Sequence, residues 1–277
     1  MNRAGSKTGA VISRTRSSSH EDVQGSFSKL PIFCCKLPSP DVYSDAMPVE
    51  NFADLTECSF DQFVVFLFDR AAPVGENSFA ALSKRGETDK WHPWYYDALV
   101  SFDPVRLCRM YSQLFQEPRF LRERFSREQL DQGFWAVQST TLECSAWSLI
   151  WNDAVPFAIR EECVRSMYFL FRELFFDEPL ENSVSMWWDS FCYEWHCGNR
   201  QRARGGEDLA MQDVMFETLS SILSLDSDIC QGAALHGLSH LHHPRTGPLI
   251  ESYIAKHPGL PEEWKSLAEA AARFELM

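Results

Sequence analysis

Residues 223–258 read LSLDSDICQGAALHGLSHLHHPRTGPLIESYIAKHP, which is two helical patterns separated by a break at Pro244. The first pattern, from about residue 228 to residue 243, carries apolar residues at the three- and four-residue spacing of an amphipathic helix. These residues are Ala234, Leu235, Leu238 and Leu241. Asp226 or Ser227 is suited to cap the start of this helix, and Pro244 ends it. The stretch therefore predicts a fold built from packed helices.

This stretch also resembles a known repeat. The segments ILSLD (222–226) and ALHGL (234–238) combine an apolar pair, an Asp and an Ala-Leu-x-x-Leu helix, as in the second helix of a HEAT-type repeat. Residues 210–221 would form the first helix, and the whole unit covers about residues 207–258. The chain departs from the family where a Val-Arg pair is usual, since Cys230 follows Ile229. The resemblance implies antiparallel helix pairs that stack into a right-handed solenoid, with the second helix lining the concave surface.

The remaining sequence also favours helices. Ser59 with Gln62, and Ser126 with Gln129, have the spacing of capping boxes, and Asp103-Pro104 is typical of a helix start. No run of alternating apolar and polar residues is bounded by turn residues, so we predict no sheet. We predict one all-α domain over residues 47–277, made of antiparallel helical hairpins. Its architecture would be a HEAT- or armadillo-like solenoid or an irregular helical array.

Residues 1–46 differ in composition from the rest of the chain. They are rich in Ser, Arg, Lys and Gly and show no sustained periodicity, which predicts a disordered tail. Two alternatives remain for this segment. In the first alternative the segment is a transit peptide, which the absence of acidic residues from the first twenty positions favours. Otherwise the start codon was assigned too early, and translation begins at Met47.

The charge distribution argues against nucleic-acid partners. Residues 1–46 contain six Lys or Arg and four acidic residues, so the net charge of −13 leaves −15 on residues 47–277. A body so acidic repels phosphate backbones. The nine cysteines include no C-x-x-C pair, which indicates free thiols in a reducing compartment. No segment approaches the roughly 20 apolar residues that span a bilayer. We therefore expect a soluble, cytoplasmic protein with no membrane partner.

The histidines of the first pattern are the candidate for a binding site. On a helical wheel His236, His240 and His243 lie at roughly 0°, 40° and −20°, within one narrow face. A His pair four residues apart is a known zinc spacing. His236 and His243, however, lie about 10 Å apart along the axis, so one helix cannot bring all three to one ion. A metal site would need the pair and a carboxylate from elsewhere. Otherwise the face is exposed to solvent or packs on a neighbouring helix.

An enzymatic metal site of the HEAT class has a different pattern. HEAT-like metal-dependent hydroxylases bind iron through adjacent His-Glu pairs on their repeat helices. The only His-Glu pair in this sequence is His20-Glu21, within the predicted tail. This difference counts against an enzyme. His196, which precedes Cys197, is a second candidate ligand, although such a pair on an apolar helix is more often part of the core.

These observations predict a non-catalytic interaction or scaffold protein without a cofactor, which binds a protein partner in a groove between helices. The predicted partner-binding residues are His236, His240 and His243, on the face opposite Leu238, together with Trp91, Trp94 and Tyr95. The three aromatic residues belong to the cluster WHPWYYD (91–97), whose other interpretation is core packing. The alternative function is that of a metal-binding protein or metal-dependent enzyme, with a transition-metal ion at His236 and His240.

Overall fold

Helices make up most of the described chain, which comprises residues 52–71, 94–96, 98–178 and 180–276 of a computed structural model. In chain order the α-helices are α1 (Phe60–Phe68), α2 (Pro104–Gln116), α3 (Leu121–Arg124), α4 (Arg127–Val137), α5 (Ala146–Ile150), α6 (Phe157–Leu170), α7 (Glu181–Ser185), α8 (Trp187–His196), α9 (Gly206–Leu223), α10 (Asp228–Leu241), α11 (Thr246–Lys256) and α12 (Glu262–Ala272). A π-helical turn, Phe171–Phe175, follows α6, and short 3₁₀ turns lie at Trp94–Tyr96, Pro118–Phe120 and Arg202–Arg204. The prediction of a mostly helical fold is confirmed.

Side-chain caps set where the early helices begin. The Ser59 hydroxyl accepts from the Gln62 N–H at 3.2 Å, and the Gln62 side chain accepts from the Ser59 N–H at 2.8 Å. Ser126 and Gln129 form the same reciprocal pair at the start of α4. Asp103 accepts from the N–H of the third residue of α2 at 2.8 Å. Each cap satisfies backbone donors that a helix start leaves unpaired, and each was predicted from the spacing alone.

The described chain also contains a pair of short strands, which corrects the prediction of no sheet. Strands β1 (Phe52–Asp54) and β2 (Leu99–Ser101) are parallel, with Phe52 opposite Leu99. The Leu55 N–H extends the ladder by donating to the Ser101 carbonyl at 2.7 Å. Three residues are too few to establish an alternating pattern, which explains why the strands escaped the sequence analysis.

Aromatic rings fill the centre of the core around Trp187. Its indole is fully buried, and its Nε1–H points to the Met167 sulfur at 3.4 Å. Five phenylalanine rings lie with their centroids between 5.4 and 6.4 Å from the Trp187 ring, namely Phe115, Phe134, Phe171, Phe175 and Phe191. These residues come from α2, α4, the π-helical turn and α8. Trp187 therefore holds together elements that are far apart in the sequence.

The segment predicted to be HEAT-like, residues 207–258, forms helices near the C-terminal end of the described chain. Helix α10 packs against α8, α9 and α12, and α6 packs against α2, α5 and α9. The predicted first and second helices of the unit are present as α9 and α10. Helix α10 ends at Leu241, however, two residues earlier than the apolar pattern suggested.

Several sequence predictions concern residues outside the described ranges. The predicted tail over residues 1–46, the domain start at residue 47 and Trp91 all fall there. Among the helices that the structure describes, none has both the length and the apolar character needed to cross a membrane. The described cysteines carry free thiols, as predicted.

Candidate metal centre

Helices α8 and α10 cross at a glycine. Gly237 of α10 lies against Trp188 of α8, and a Cβ atom added to Gly237 would lie 2.4 Å from the Trp188 Cβ. Cβ atoms do not approach so closely, so only glycine allows this crossing. Asp189 follows Trp188 along α8, and His236 precedes Gly237 along α10. The crossing therefore brings a carboxylate of one helix beside an imidazole of the other.

One carboxylate and two imidazoles converge next to this crossing. Asp189, His236 and His240, hereafter the triad, each offer one ligand atom, and these atoms all lie within 4.8 Å of one another. Nε2 of His240 is 3.0 Å from Oδ1 of Asp189, and the ring centroids of His236 and His240 are 4.7 Å apart. Ligand atoms held about 2.0–2.2 Å from a zinc ion lie roughly 3–4.4 Å from one another. The triad is thus within a small movement of the spacing of a metal site.

Three imidazole nitrogens of the triad are buried and make no hydrogen bond to the described part of the chain. They are Nε2 of His236 and both Nδ1 and Nε2 of His240, whose side chain is only 2% exposed. Nε2 of His240 is close to Asp189, but the carboxylate oxygen lies off the direction in which a ring N–H would donate. A buried polar atom without a partner costs about 1–3 kcal/mol. A metal ion between the three side chains would engage Nε2 of both histidines, so these residues fit such an ion.

The other ring nitrogen of His236 already has a partner. The imidazole hydrogen-bonds to the backbone carbonyl of Ser185, the last residue of α7. Because Nε2 makes no hydrogen bond to the residues that the structure describes, the donor is Nδ1. Histidines that bind metals commonly donate their second N–H in this way, which fixes the tautomer and the orientation of the ring. Helix α7 therefore prepares His236 to accept a metal at Nε2.

The ionisation of the triad suits metal binding. Burial, together with the charge of His240, lowers the pKa of His236 from 6.5 to about 4. Burial acts to raise the pKa of Asp189, but close contact with His240 and the charges of His236 and His196 outweigh it. The net pKa of Asp189 lies below its ordinary value. At neutral pH His236 is neutral and Asp189 is ionised, and these are the forms that coordinate metals.

Acid should destabilise the metal-free protein through His236. Its pKa in the folded state, about 4, lies below the 6.5 of the unfolded chain, so between these values the unfolded state binds more protons. The stability from a neutral His236 is present above the unfolded pKa and is lost as the pH falls. From about pH 7.5 to about pH 5 we expect a loss of roughly 2 kcal/mol from this residue. Urea unfolding at several pH values in the presence of a chelator measures this loss, and in His236→Gln the loss from residue 236 should be absent. An unchanged pH dependence in the variant would contradict the assignment.

A third imidazole, that of His196, adjoins the triad, and a fourth, that of His242, adjoins His196. The ring centroid of His196, the last residue of α8, is 4.7 Å from that of His240 and 5.3 Å from that of His242. Nδ1 of His196 is buried and makes no hydrogen bond to the described chain. His242 is exposed and has a left-handed backbone, with φ of 52°. A file of four imidazoles therefore runs from His236 to the surface at His242.

The predicted histidine face is corrected in two respects. His240 does not line an open groove, because α8 covers it. His243 is not on the face at all, since the left-handed residue His242 ends α10 and redirects the chain. The His243 side chain is 1% exposed, lies 2.8 Å from Asp213 of α9 through Nε2, and stacks on Phe216 with centroids 4.1 Å apart. Its Nδ1 accepts from a backbone N–H, so His243 has a structural place between α9 and α10.

The aromatic cluster near residue 94 is largely internal where the structure describes it. Tyr95 is 5% exposed and belongs to the core, which favours the core-packing interpretation, and a partner role for Tyr95 stays a prediction. The half-buried Trp94 packs edge-on against Phe66 at 5.1 Å, and the guanidinium of Arg70 lies 4.5 Å from its ring centroid. Core packing accounts for both contacts, and a partner role for Trp94 stays a prediction.

Asp189 is the site residue that the sequence analysis did not name. A carboxylate from another helix was expected, but nothing local marks Asp189 among the acidic residues of the chain. One signal is visible in retrospect: Asp189 and His196 are seven residues apart on α8, which places them about 20° apart on its surface. Two polar residues on one stripe of a helix rich in Trp and Phe indicate a polar spot inside an apolar core. The same stripe faces the histidines of α10.

Comparisons of the chain with protein-family models, with curated proteins and with solved structures found no match.

Proposed function

We propose that this protein binds one divalent transition-metal ion at Asp189, His236 and His240. The observation that carries the proposal is the convergence of three ligand atoms from two helices. Nε2 of His236 is buried and has no hydrogen bond to the described chain, and Nε2 of His240 is buried 3.0 Å from Oδ1 of Asp189. The hydrogen bond from His236 to Ser185 supports it, because it sets the tautomer that a metal requires. The lowered pKa of Asp189 supports it as well, since the carboxylate stays ionised.

The donor set selects the class of metal. Two imidazoles and one carboxylate suit zinc or iron(II), whereas calcium and magnesium prefer sites built from oxygen atoms alone. Three protein ligands leave at least one coordination position for water or a substrate, as in catalytic zinc sites and in non-haem iron enzymes. An ion bound there would act as a Lewis acid. The residues of the chain would hold it, with the Asp189 carboxylate balancing part of its charge.

The scaffold function predicted from the HEAT resemblance stays a prediction, as does the solenoid on which it depends. The predicted groove included His240 and His243, which α8 and α9 cover in this structure. The same burial favours a metal, because a polar cluster inside a core needs partners that solvent cannot provide. We therefore prefer the metal-binding function, whether the ion serves catalysis or holds α8 and α10 together.

Metal content and affinity test this proposal. The full-length chain is stripped with a chelator and titrated with Zn²⁺ and Co²⁺, with elemental analysis of the protein as first purified. We expect one ion per chain, and Asp189→Asn or His236→Gln should weaken binding by about 100-fold or more, since each removes a direct ligand. His257→Ala is the matched control, because that exposed histidine bonds to the Tyr253 carbonyl at the end of α11. Wild-type affinity in Asp189→Asn, or binding lost equally in His257→Ala, would refute the proposal.

A further inference from the structure

His240 has a second ring nitrogen that the proposed metal would not use. If Nε2 binds the ion, the imidazole stays neutral and carries its proton on Nδ1. That nitrogen is buried and makes no hydrogen bond to the described chain. A buried N–H of this kind needs an acceptor, and metal-binding histidines nearly always have one. The Ser185 carbonyl serves His236 in this way, and His240 needs an acceptor of the same kind.

The geometry points to His196. Its ring lies edge-on to that of His240, with centroids 4.7 Å apart and planes at 80°. Its Nδ1 is itself buried and without a hydrogen bond in the described chain, so it is available as an acceptor. We propose that Nδ1 of His196 accepts the Nδ1–H of His240 and thereby holds the His240 ring in its metal-binding tautomer and orientation. This inference rests on the proposed function. His196 is then a positioning residue and not a ligand, in agreement with its absence from the converging set of three.

Neighbouring rings hold His196 in place. Tyr193, one helical turn earlier on α8, stacks on it with planes at 24° and centroids 5.5 Å apart. His242 lies across it at 5.3 Å, and the His242 ring rests on Phe274 at 4.7 Å. The backbone of His242 is left-handed, a conformation that favours glycine at the end of a helix. These contacts keep the His196 ring against His240 while its other nitrogen is free to carry a proton.

Three substitutions test the role of His196. His196→Ala removes the acceptor, whereas His196→Asn keeps one, because the Asn Oδ1 can take the place of the His Nδ1. His257→Ala is the control, because it removes an exposed imidazole outside the file of four, one that bonds to the Tyr253 carbonyl at the end of α11. For His196→Ala we expect Co²⁺ binding to weaken about 10–100-fold, the usual effect of removing such a partner. His196→Asn should recover most of the affinity, and His257→Ala should bind as wild type does.

The Co²⁺ absorption spectrum separates positioning from coordination. In His196→Ala we expect the ligand-field bands to keep the intensity of wild type, because the ligand number is unchanged. Bands that change to those of a lower protein-ligand number, with no rescue by Asn, would show that His196 coordinates the ion and would overturn the inference. Wild-type affinity in His196→Ala would also overturn the inference about His196, but it would not contradict the metal site at the triad. A wild-type chain that binds no Co²⁺ would instead refute the proposed function itself.

Discussion

Trp187→Ala is expected to lower the free energy of unfolding by about 3–5 kcal/mol, the range of aromatic truncations in a core. The Trp187 side chain is fully buried among the five phenylalanine rings described above, and its Nε1–H is directed at the Met167 sulfur. Truncation leaves a cavity between elements that come from distant parts of the sequence. These neighbours are held by the rest of the fold and cannot collapse fully onto the empty space. Urea unfolding at neutral pH, followed by far-UV circular dichroism, measures the change.

Two further substitutions calibrate this result. Trp187→Phe keeps most of the ring volume and should cost clearly less than Trp187→Ala. Trp264→Ala removes the same side chain from a half-buried position on α12, where its indole donates to the Tyr253 hydroxyl at 2.9 Å. We expect a smaller loss there, because less apolar surface is buried. If Trp187→Ala and Trp264→Ala cost the same, Trp187 is not the centre of the core.

Gly237→Ala should cost about 1–3 kcal/mol or more, although alanine normally favours a helix. The added Cβ would lie 2.4 Å from the Trp188 Cβ, 2.9 Å from the Trp188 Cγ and 2.8 Å from the Leu219 Cδ2. A Cβ atom cannot turn away, so α8 and α10 must separate. Asp189 adjoins Trp188, and His236 adjoins Gly237. Metal affinity should therefore fall together with stability, a combination that the Trp187 substitutions need not show.

Gly247→Ala is the matched control for Gly237→Ala. Gly247 lies in the first turn of α11, and apart from its two chain neighbours a Cβ atom there would meet nothing within 4 Å. The control should cost clearly less than Gly237→Ala, because the added methyl group meets no packed side chain and only the following Pro248 restricts the alanine. Urea unfolding and Co²⁺ titration of both variants provide the comparison. An unchanged stability of Gly237→Ala would show that the two helices are not in the close contact described above.

Local features of this fold were predictable from the sequence, and non-local ones were not. The caps at Ser59, Asp103 and Ser126 depend on residues three positions away, and all were predicted. Strands β1 and β2 pair across more than forty residues, and no local pattern records such a pairing. The end of α10 was only partly predictable. His242 can continue a helix or adopt the left-handed conformation, and nothing in the sequence alone decides which.

The candidate site shows the same division. The spacing of His236 and His240 pointed to half of a metal site, because two positions four residues apart on a helix face the same way. Asp189 lies about fifty residues earlier, and only the packing of α8 on α10 brings it to the pair. The wheel also put His243 beside them, which is wrong, since the helix ends first. Burial of the face was the other unpredictable fact, because it depends on what α8 covers.

Three consecutive residues of α8 have three different tasks: Trp187 fills the core, Trp188 meets Gly237, and Asp189 joins the triad. Under the proposed function, the folding equilibrium and the metal equilibrium are linked through this one helical turn. An ion that binds only the folded chain stabilises it by RT ln(1 + [L]/Kd), about 2.7 kcal/mol at one hundred times Kd. The abundance of the protein in a cell would then follow the supply of its metal. When the metal is scarce, a larger fraction of the chain would be unfolded, and the chain would be degraded faster.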